Sequence, residues 1–255
     1  MNYIVSASTD IGNIKETNQD SYNVRVLSGS QGKMTFAVLC DGMGGLAKGE
    51  VASSSLVTAF VKWSENNLPE LAKNRITDAA IRNDWVNIAT EFNEKIKLYG
   101  KKIGAGVGTT ITAMLITESR YYIINVGDTR AYEITDDIRV LTKDQTVVAR
   151  EVEQGLLSPE QAEKDERRSV LLQCIGASDD VYPDMFFGDT KLNAVYMLCS
   201  DGFRHEITPN EIYEYLNPNV MLSEESMKCN MNILIDTNKQ REERDNITVI
   251  TIRTF

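Results

Sequence analysis

The 255 residues predict an α+β fold, with two sheets packed face to face and helices outside them. Strand-like segments come in groups with helical stretches between the groups, not in strict alternation. The run 34–40 is almost continuously apolar, as a strand covered on both faces would be.

The elements follow in order. Residues 3–8 and 22–27 alternate in the manner of strands, and the buried strand 34–40 ends at Asp41. After Gly42, Gly44 and Gly45 a helix begins near Glu50, with Ala52, Leu56, Ala59, Phe60 and Trp63 on one face, and Leu68-Pro69 closes it. A second helix, opened by Thr77-Asp78, carries Ile81, Trp85, Ile88, Phe92 and Ile96 at helical spacing. Both aromatic stripes read as core packing. Strands are then expected at 110–116, 121–126, 130–134 and 139–141. The polar stretch 145–168 reads as helical, broken at Gly155 and at Ser158-Pro159. Strands resume at 181–187 and 195–199, helices at 209–216 and 223–238, and a last strand at 247–252. No linker, repeat or low-complexity segment divides the chain, so one domain is expected over 1–255.

Composition narrows the function. With 42% hydrophobic and 25% charged residues the chain can bury a substantial core. A formal charge of −10 repels a nucleic-acid backbone, and no basic patch offsets it. No apolar run is long enough to cross a bilayer and the N-terminus has no signal-peptide pattern, so a cytoplasmic protein without membrane contact is expected. Cys40, Cys174, Cys199 and Cys229 form no Cys-x-x-Cys pair, which argues against a thiolate zinc site and a disulfide framework. Nothing demands an oligomer, and a monomer is expected.

Aspartates stand at the ends of apolar strands. Asp41 follows Phe36-Ala37-Val38-Leu39-Cys40, Asp201 follows Tyr196-Met197-Leu198-Cys199-Ser200, and Asp128 follows Ile123-Ile124-Asn125-Val126-Gly127. Asp245 precedes the last strand and Asp20 the second. Asp-Gly is ordinary turn chemistry. The other reading is ligation of a hard cation by carboxylates, with glycine letting a backbone carbonyl approach. Converging aspartates would repel one another unless cations neutralised them. Spacing alone does not show convergence.

The segment Asp10-Ile-Gly-Asn-Ile-Lys-Glu-Thr-Asn-Gln-Asp20 resembles the opening motif of the metal-dependent protein phosphatases, type 2C (the PPM family). Asp41-Gly-Met-Gly-Gly45 with Gly49-Glu50-Val-Ala-Ser53 is similar to the second motif in its bacterial form. Gly108-Thr-Thr110, Asn125-Val-Gly-Asp-Thr-Arg-Ala131, Leu141-Thr-Lys-Asp-Gln-Thr146, Val170-Leu-Leu-Gln-Cys-Ile-Gly176, Cys199-Ser-Asp-Gly-Phe203 and Arg244-Asp-Asn-Ile-Thr-Val249 follow in family order. Each motif is weak alone. The ordered set is specific and runs from the first strand to the last.

The resemblance implies a four-layer αββα fold, two antiparallel sheets with helices on both outer faces. It implies hydrolysis of phosphoserine and phosphothreonine in proteins by a water bridging two divalent cations, Mn²⁺ or Mg²⁺, and opposition to a Ser/Thr kinase. Asp41 would bridge the cations, Gly42 would offer its carbonyl, Asp201 and Asp245 would complete one shell, and Asp20 would act partly through water. Asp128 would help hold a third, weaker ion. Lys15 stands where relatives carry a phosphate-gripping arginine and gives a point charge instead of a planar fork. Gln19 replaces a common glutamate, which removes a carboxylate near the second ion. Met43, usual in bacterial members, replaces a eukaryotic histidine. The lone histidine, His205, is either a solvated or packed side chain or a proton donor at the rim of the site. Residues 147–169 match the family's flap, whose Arg150, Lys164, Arg167 and Arg168 form either a solvated face or a guide for substrates. Lys15 and Gln19 also leave open a relative that binds phosphoproteins without turnover. A phosphatase acting on an anti-sigma-antagonist type of regulator would share the same chemistry.

Overall fold

A computed structural model describes residues 1–29, 32–43, 48–74 and 76–255. Gly44 and Gly45 of the second motif lie outside the described residues. The strands are β1 (Tyr3–Asp10), β2 (Asp20–Gly29), β3 (Gly32–Met43), β4 (Gly108–Thr109), β5 (Ile111–Ile116), β6 (Arg120–Val126), β7 (Arg130–Ile134), β8 (Ile138–Val140), β9 (Asp184–Asp189), β10 (Val195–Cys199) and β11 (Ile247–Thr254). The helices are α1 (Gly49–Asn66), α2 (Leu68–Asn74), α3 (Asp78–Ile103), α4 (Val147–Glu153), α5 (Pro159–Glu163), α6 (Asp201–Arg204), α7 (Pro209–Leu216) and α8 (Glu224–Gln240).

One sheet runs β1-β11-β10-β7-β8 and the other β2-β3-β5-β6-β9, with β4 paired to β3. Every pairing is antiparallel. Because side chains alternate along a strand, β3 serves two cores at once. Ala37 and Leu39, with Met114 of the adjacent β5, face the other sheet and meet Tyr196, Leu198 and Ile250. Phe36, Val38 and Cys40 face α1 and α3. That double coverage explains the unbroken apolar run. On the far side, α7 and α8 cover β10 and β11 through Ile212, Leu216, Met227, Met231 and Leu234. The order helix, sheet, sheet, helix is the expected one.

The outer core is aromatic. Trp63 and Trp85 meet edge to face at 5.3 Å, Phe36 lies 5.7 Å from Trp63, and Phe60 lies 6.0 Å from Trp85. Local signals set the helix ends: Thr77 accepts from the Ala80 N–H to open α3, and Gly104 closes it at φ 68°. Thr208 and Glu211 form a capping box around Pro209 at the start of α7.

Several expectations shift. β3 runs on to Met43, so Asp41 lies inside a strand and not after it. Leu68-Pro69 ends α1 as expected but also starts α2, because proline fits the first turn of a helix. β9 begins at Asp184, not at Val181, since Pro183 has no N–H to offer a ladder. The polar stretch breaks where expected, into α4 and α5, with Gly155 at φ 71° and Ser158-Pro159 opening a new cap. All four cysteines are free, and only Cys229 is exposed. Among the described residues no helix is long and apolar enough to cross a membrane.

Phe36 is fully buried at the junction of β3, α1 and α3. Phe36→Ala is expected to cost about 3–5 kcal/mol of unfolding free energy in urea titration. A loss below about 1 kcal/mol, typical of a surface change, would contradict the packing described.

Candidate active site

Asp41 and Asp20 sit directly opposite each other in the β2–β3 register. Like charges so placed repel. The backbone leaves neither strand free to slide: the Asp41 N–H donates to Thr110 Oγ1 at 2.9 Å, and its carbonyl accepts from Thr110 N–H at 2.8 Å and Thr109 Oγ1 at 2.9 Å. Both carboxylate oxygens of Asp20 are buried without a hydrogen-bond partner. The hydroxyls of Thr248 and Ser200 lie nearby, and their pull is outweighed.

Asp201 opens α6 at the end of β10, and its Oδ1 is also buried and unpartnered. Asp245 precedes β11. Its Oδ1 accepts from the Asn246 N–H at 2.8 Å and meets Lys15 Nζ at 2.7 Å. Gly202 lets these two segments touch, because a Cβ there would stand 2.3 Å from the Asn246 carbonyl and 3.3 Å from Asp245 Cβ.

The electrostatics show how these residues meet. Burial pushes the Asp41 carboxyl well above its ordinary value, and the fields of Asp20, Asp201, Asp245 and Asp128 push it further. Burial and the neighbouring Asp201 and Asp245 raise Asp20 to about 7, and burial with Asp201 raises Asp128 to about 7 against the pull of Arg204. Lys15 moves up: burial opposes its charge, but the bond to Asp245 and the fields of Asp245, Asp41 and Asp201 prevail. Thus Asp20, Asp41, Asp128, Asp201, Asp245 and Lys15 all lie within electrostatic reach of one another's cluster. Among the described residues no three acidic, histidine or cysteine side chains close on a single point as a finished ion shell. Buried, mutually repelling carboxylates with orphaned oxygens have the chemistry of a hard-cation site, in which backbone carbonyls and water supply the remaining ligands.

At Gly42 two backbone carbonyls crowd in. A Cβ there would stand 2.3 Å from the Gly49 carbonyl and 2.6 Å from that of Gln19. Gln19 proves to be a hub. Its N–H donates to Asn246 Oδ1 at 2.9 Å, and its carbonyl accepts from Ser53 Oγ at 2.6 Å and Gly42 N–H at 3.1 Å. With its amide turned to suit both neighbours, Gln19 donates to the Gly42 carbonyl and accepts from the Gly49 N–H, each at 3.2 Å. The side chain therefore clamps β3, which carries Asp41, to the start of α1. Asn246 was not singled out from the sequence. Its amide donates to the carbonyls of Ile11 at 2.9 Å and Thr17 at 3.3 Å, holding the loop that carries Lys15. The only sequence signal for it was its place beside Asp245 in a motif.

His205 takes the packed one of its alternatives. It is 10% exposed, with Nε2 3.5 Å from Asp201 Oδ2 and Nδ1 3.4 Å from Glu243 Oε2. Both nitrogens face carboxylates inside the protein, so the imidazole is a packed neighbour of Asp201 and not a donor at the rim. In residues 147–169, Arg167 bonds Glu151 at 3.0 and 2.8 Å, Arg168 reaches Glu206 at 3.4 Å, and Ser169 Oγ lies 3.4 Å from Asp201 Oδ2. Two of the four cations of this segment thus hold it together and anchor it. Beneath it lies a cleft of about 660 Å³ walled by Arg130, Asp144, Val148, Arg168, Arg204 and His205.

The family model for protein phosphatase 2C matches residues 13–232. A serine/threonine phosphatase, Stp, of Listeria innocua is 30% identical over 248 residues, covering 96% of this chain and 93% of that protein. The solved serine/threonine phosphatase of S. agalactiae superposes with a TM-score of 0.83 at 28% identity, covering all of both chains. The catalytic domain of the serine/threonine phosphatase PstP, solved in complex with two manganese ions, shares the fold with a TM-score of 0.77 at 24% identity, covering 98% of this chain and 97% of that one. Fold and relatives together define a phosphatase of the serine/threonine class. The chain belongs to the protein phosphatase 2C family.

The raised carboxylates make a pH prediction. Asp20 holds its proton up to about 7 when folded, against an ordinary carboxylate value of about 4 when unfolded. The stability this gives is complete below the unfolded value and is lost as pH rises through the folded one. The thermal midpoint of the metal-free protein should therefore fall as pH rises from about 4 to about 8. Asp20→Asn should flatten the fall, and Mn²⁺ should reverse it at the upper end. A midpoint that rises across this range in the metal-free protein would refute the cluster's electrostatics.

Proposed function

We propose that the chain hydrolyses phosphoserine and phosphothreonine in proteins, with Asp41, Asp201, Asp245, Asp20 and the Gly42 carbonyl holding a pair of divalent cations. The observation that carries this reading is the set of buried, unpartnered carboxylate oxygens on Asp20 and Asp201 beside Asp41. Isolated buried charges of one sign are costly, and cations remove that cost. The manganese pair in a neighbour of the same fold points the same way. Bound there, such cations would acidify water to a nucleophile at neutral pH and would offset charge on the phosphoryl oxygens.

The chain's own residues do the remaining work. Asp41 and Asp20, fixed by strand pairing, keep two carboxylates facing one space. Gln19 and Asn246 tie the strand, the helix start and the Lys15 loop into one frame. Lys15, half exposed at the lip and 2.7 Å from Asp245, offers an ammonium to a phosphate arriving from solvent. The flap, anchored through Arg168 and Ser169, borders the entrance, where specificity for the phosphoprotein is set. We read residues 1–255 as one catalytic domain with a flap at 147–169, acting as a cytoplasmic monomer against a Ser/Thr kinase and its targets. Mn²⁺ and Mg²⁺ both suit the oxygen ligands.

Asp41→Asn should abolish Mn²⁺-dependent hydrolysis of a phosphothreonine peptide while leaving the circular dichroism spectrum unchanged. Normal turnover by that variant would remove Asp41 from the centre. Zero turnover by the unaltered chain, with peptide binding intact, would favour a phosphoprotein-binding role instead. Lys15→Arg supplies a two-pronged donor, so KM for the peptide should fall roughly two- to fivefold with kcat little changed. An unchanged or raised KM would place Lys15 outside phosphate binding.

A further inference from the structure

Asp128, the residue to which the resemblance assigns a third, weaker ion, does not face the cluster alone. α6 carries Arg204 to its side. The guanidinium is 13% exposed, and its Nη2 donates to the Asp128 backbone carbonyl at 3.1 Å and to Asp144 Oδ2 at 3.1 Å. The same nitrogen lies 4.0 Å from Asp128 Oδ2. Arg130 grips Asp144 from the other side, Nε to Oδ1 and Nη2 to Oδ2, both at 2.7 Å. Nε of Arg204 is buried without a hydrogen-bond partner, so charge, and not a full set of hydrogen bonds, holds this side chain in place.

Two carboxyls, Asp128 and Asp144, and two guanidiniums, Arg130 and Arg204, share this corner, all largely buried. Without Arg204 the carboxyls would outnumber the guanidiniums beside Asp201, and a hard cation would be drawn there. With Arg204 present, a dication at Asp128 would have to stand against a guanidinium that its own carboxylate partners pin in place.

We propose that in this chain Arg204 takes the electrostatic place of a third divalent cation at Asp128, so that the centre loads two ions and not three. Arg204 is then a positioning residue. It fixes the Asp128 segment to the Arg130–Asp144 pair and leaves the ion-binding carboxylates to Asp20, Asp41, Asp201 and Asp245. The inference rests on the two-ion reading above.

Equilibrium dialysis against Mn²⁺ followed by elemental analysis tests it without reference to turnover. The unaltered chain is expected to retain two ions, Arg204→Met three, and the charge-keeping Arg204→Lys two. The double variant Arg204→Met with Asp128→Asn should return to two. Three ions on the unaltered chain, or two on Arg204→Met, would overturn the proposal while the two-ion centre stands. Fewer than two on the unaltered chain would overturn the centre itself and this inference with it. Should Arg204→Met fail to fold, Asp128→Asn in the unaltered background decides the matter. Unchanged ion content supports the proposal, and loss of one ion refutes it.

Discussion

Mutual repulsion among carboxylates held out of water is the constraint around which the rest of the molecule is built. Asp20 and Asp41 face each other across a strand pair that cannot slip without turning its apolar residues to the wrong side. Asp201 and Asp245 arrive from the neighbouring sheet, at the starts of α6 and β11. Every part of the fold that brings these groups together raises the free energy of the metal-free protein. The surrounding core has to tolerate that. The aromatic packing of Phe36, Phe60, Trp63 and Trp85 lies directly behind β3 and supplies rigidity there.

Backbone proximity, more than side-chain contact, holds the site's geometry. Gly42 and Gly202 admit neighbouring carbonyls to distances that any Cβ would forbid. Gln19 and Asn246 then fasten four separate chain segments with directional hydrogen bonds. A substitution at either residue would leave every acidic side chain present and still loosen the centre. Residues 147–169 are held differently, by ion pairs at their surface that salt screens and by backbone bonds at their base, Val147 N–H to the Val170 carbonyl and Leu172 N–H to that of Gln145.

Much of the fold was legible because its signals are local. The α3 cap at Thr77, the breaks at Gly155 and Ser158-Pro159, and the two-faced burial of β3 all follow from neighbouring residues. The errors had local causes as well. Pro183 delayed β9, Pro69 opened a helix as well as ending one, and the apolar run of β3 gave no sign that its ladder continued through Asp41. His205 could not be placed from sequence, since nothing near it in the chain announces Glu243.

The sequence by itself determined the elements, the family and the acidic residues worth watching, because periodicity, caps and ordered motifs are written along the chain. Only the tertiary structure decided which of those residues share a space. Asp20 lies 181 positions from Asp201, yet each feels the other's charge, and Arg204 reaches an aspartate 76 positions away. Electrostatic energy depends on distance through space and on exclusion of water, and neither is encoded in separation along the polymer.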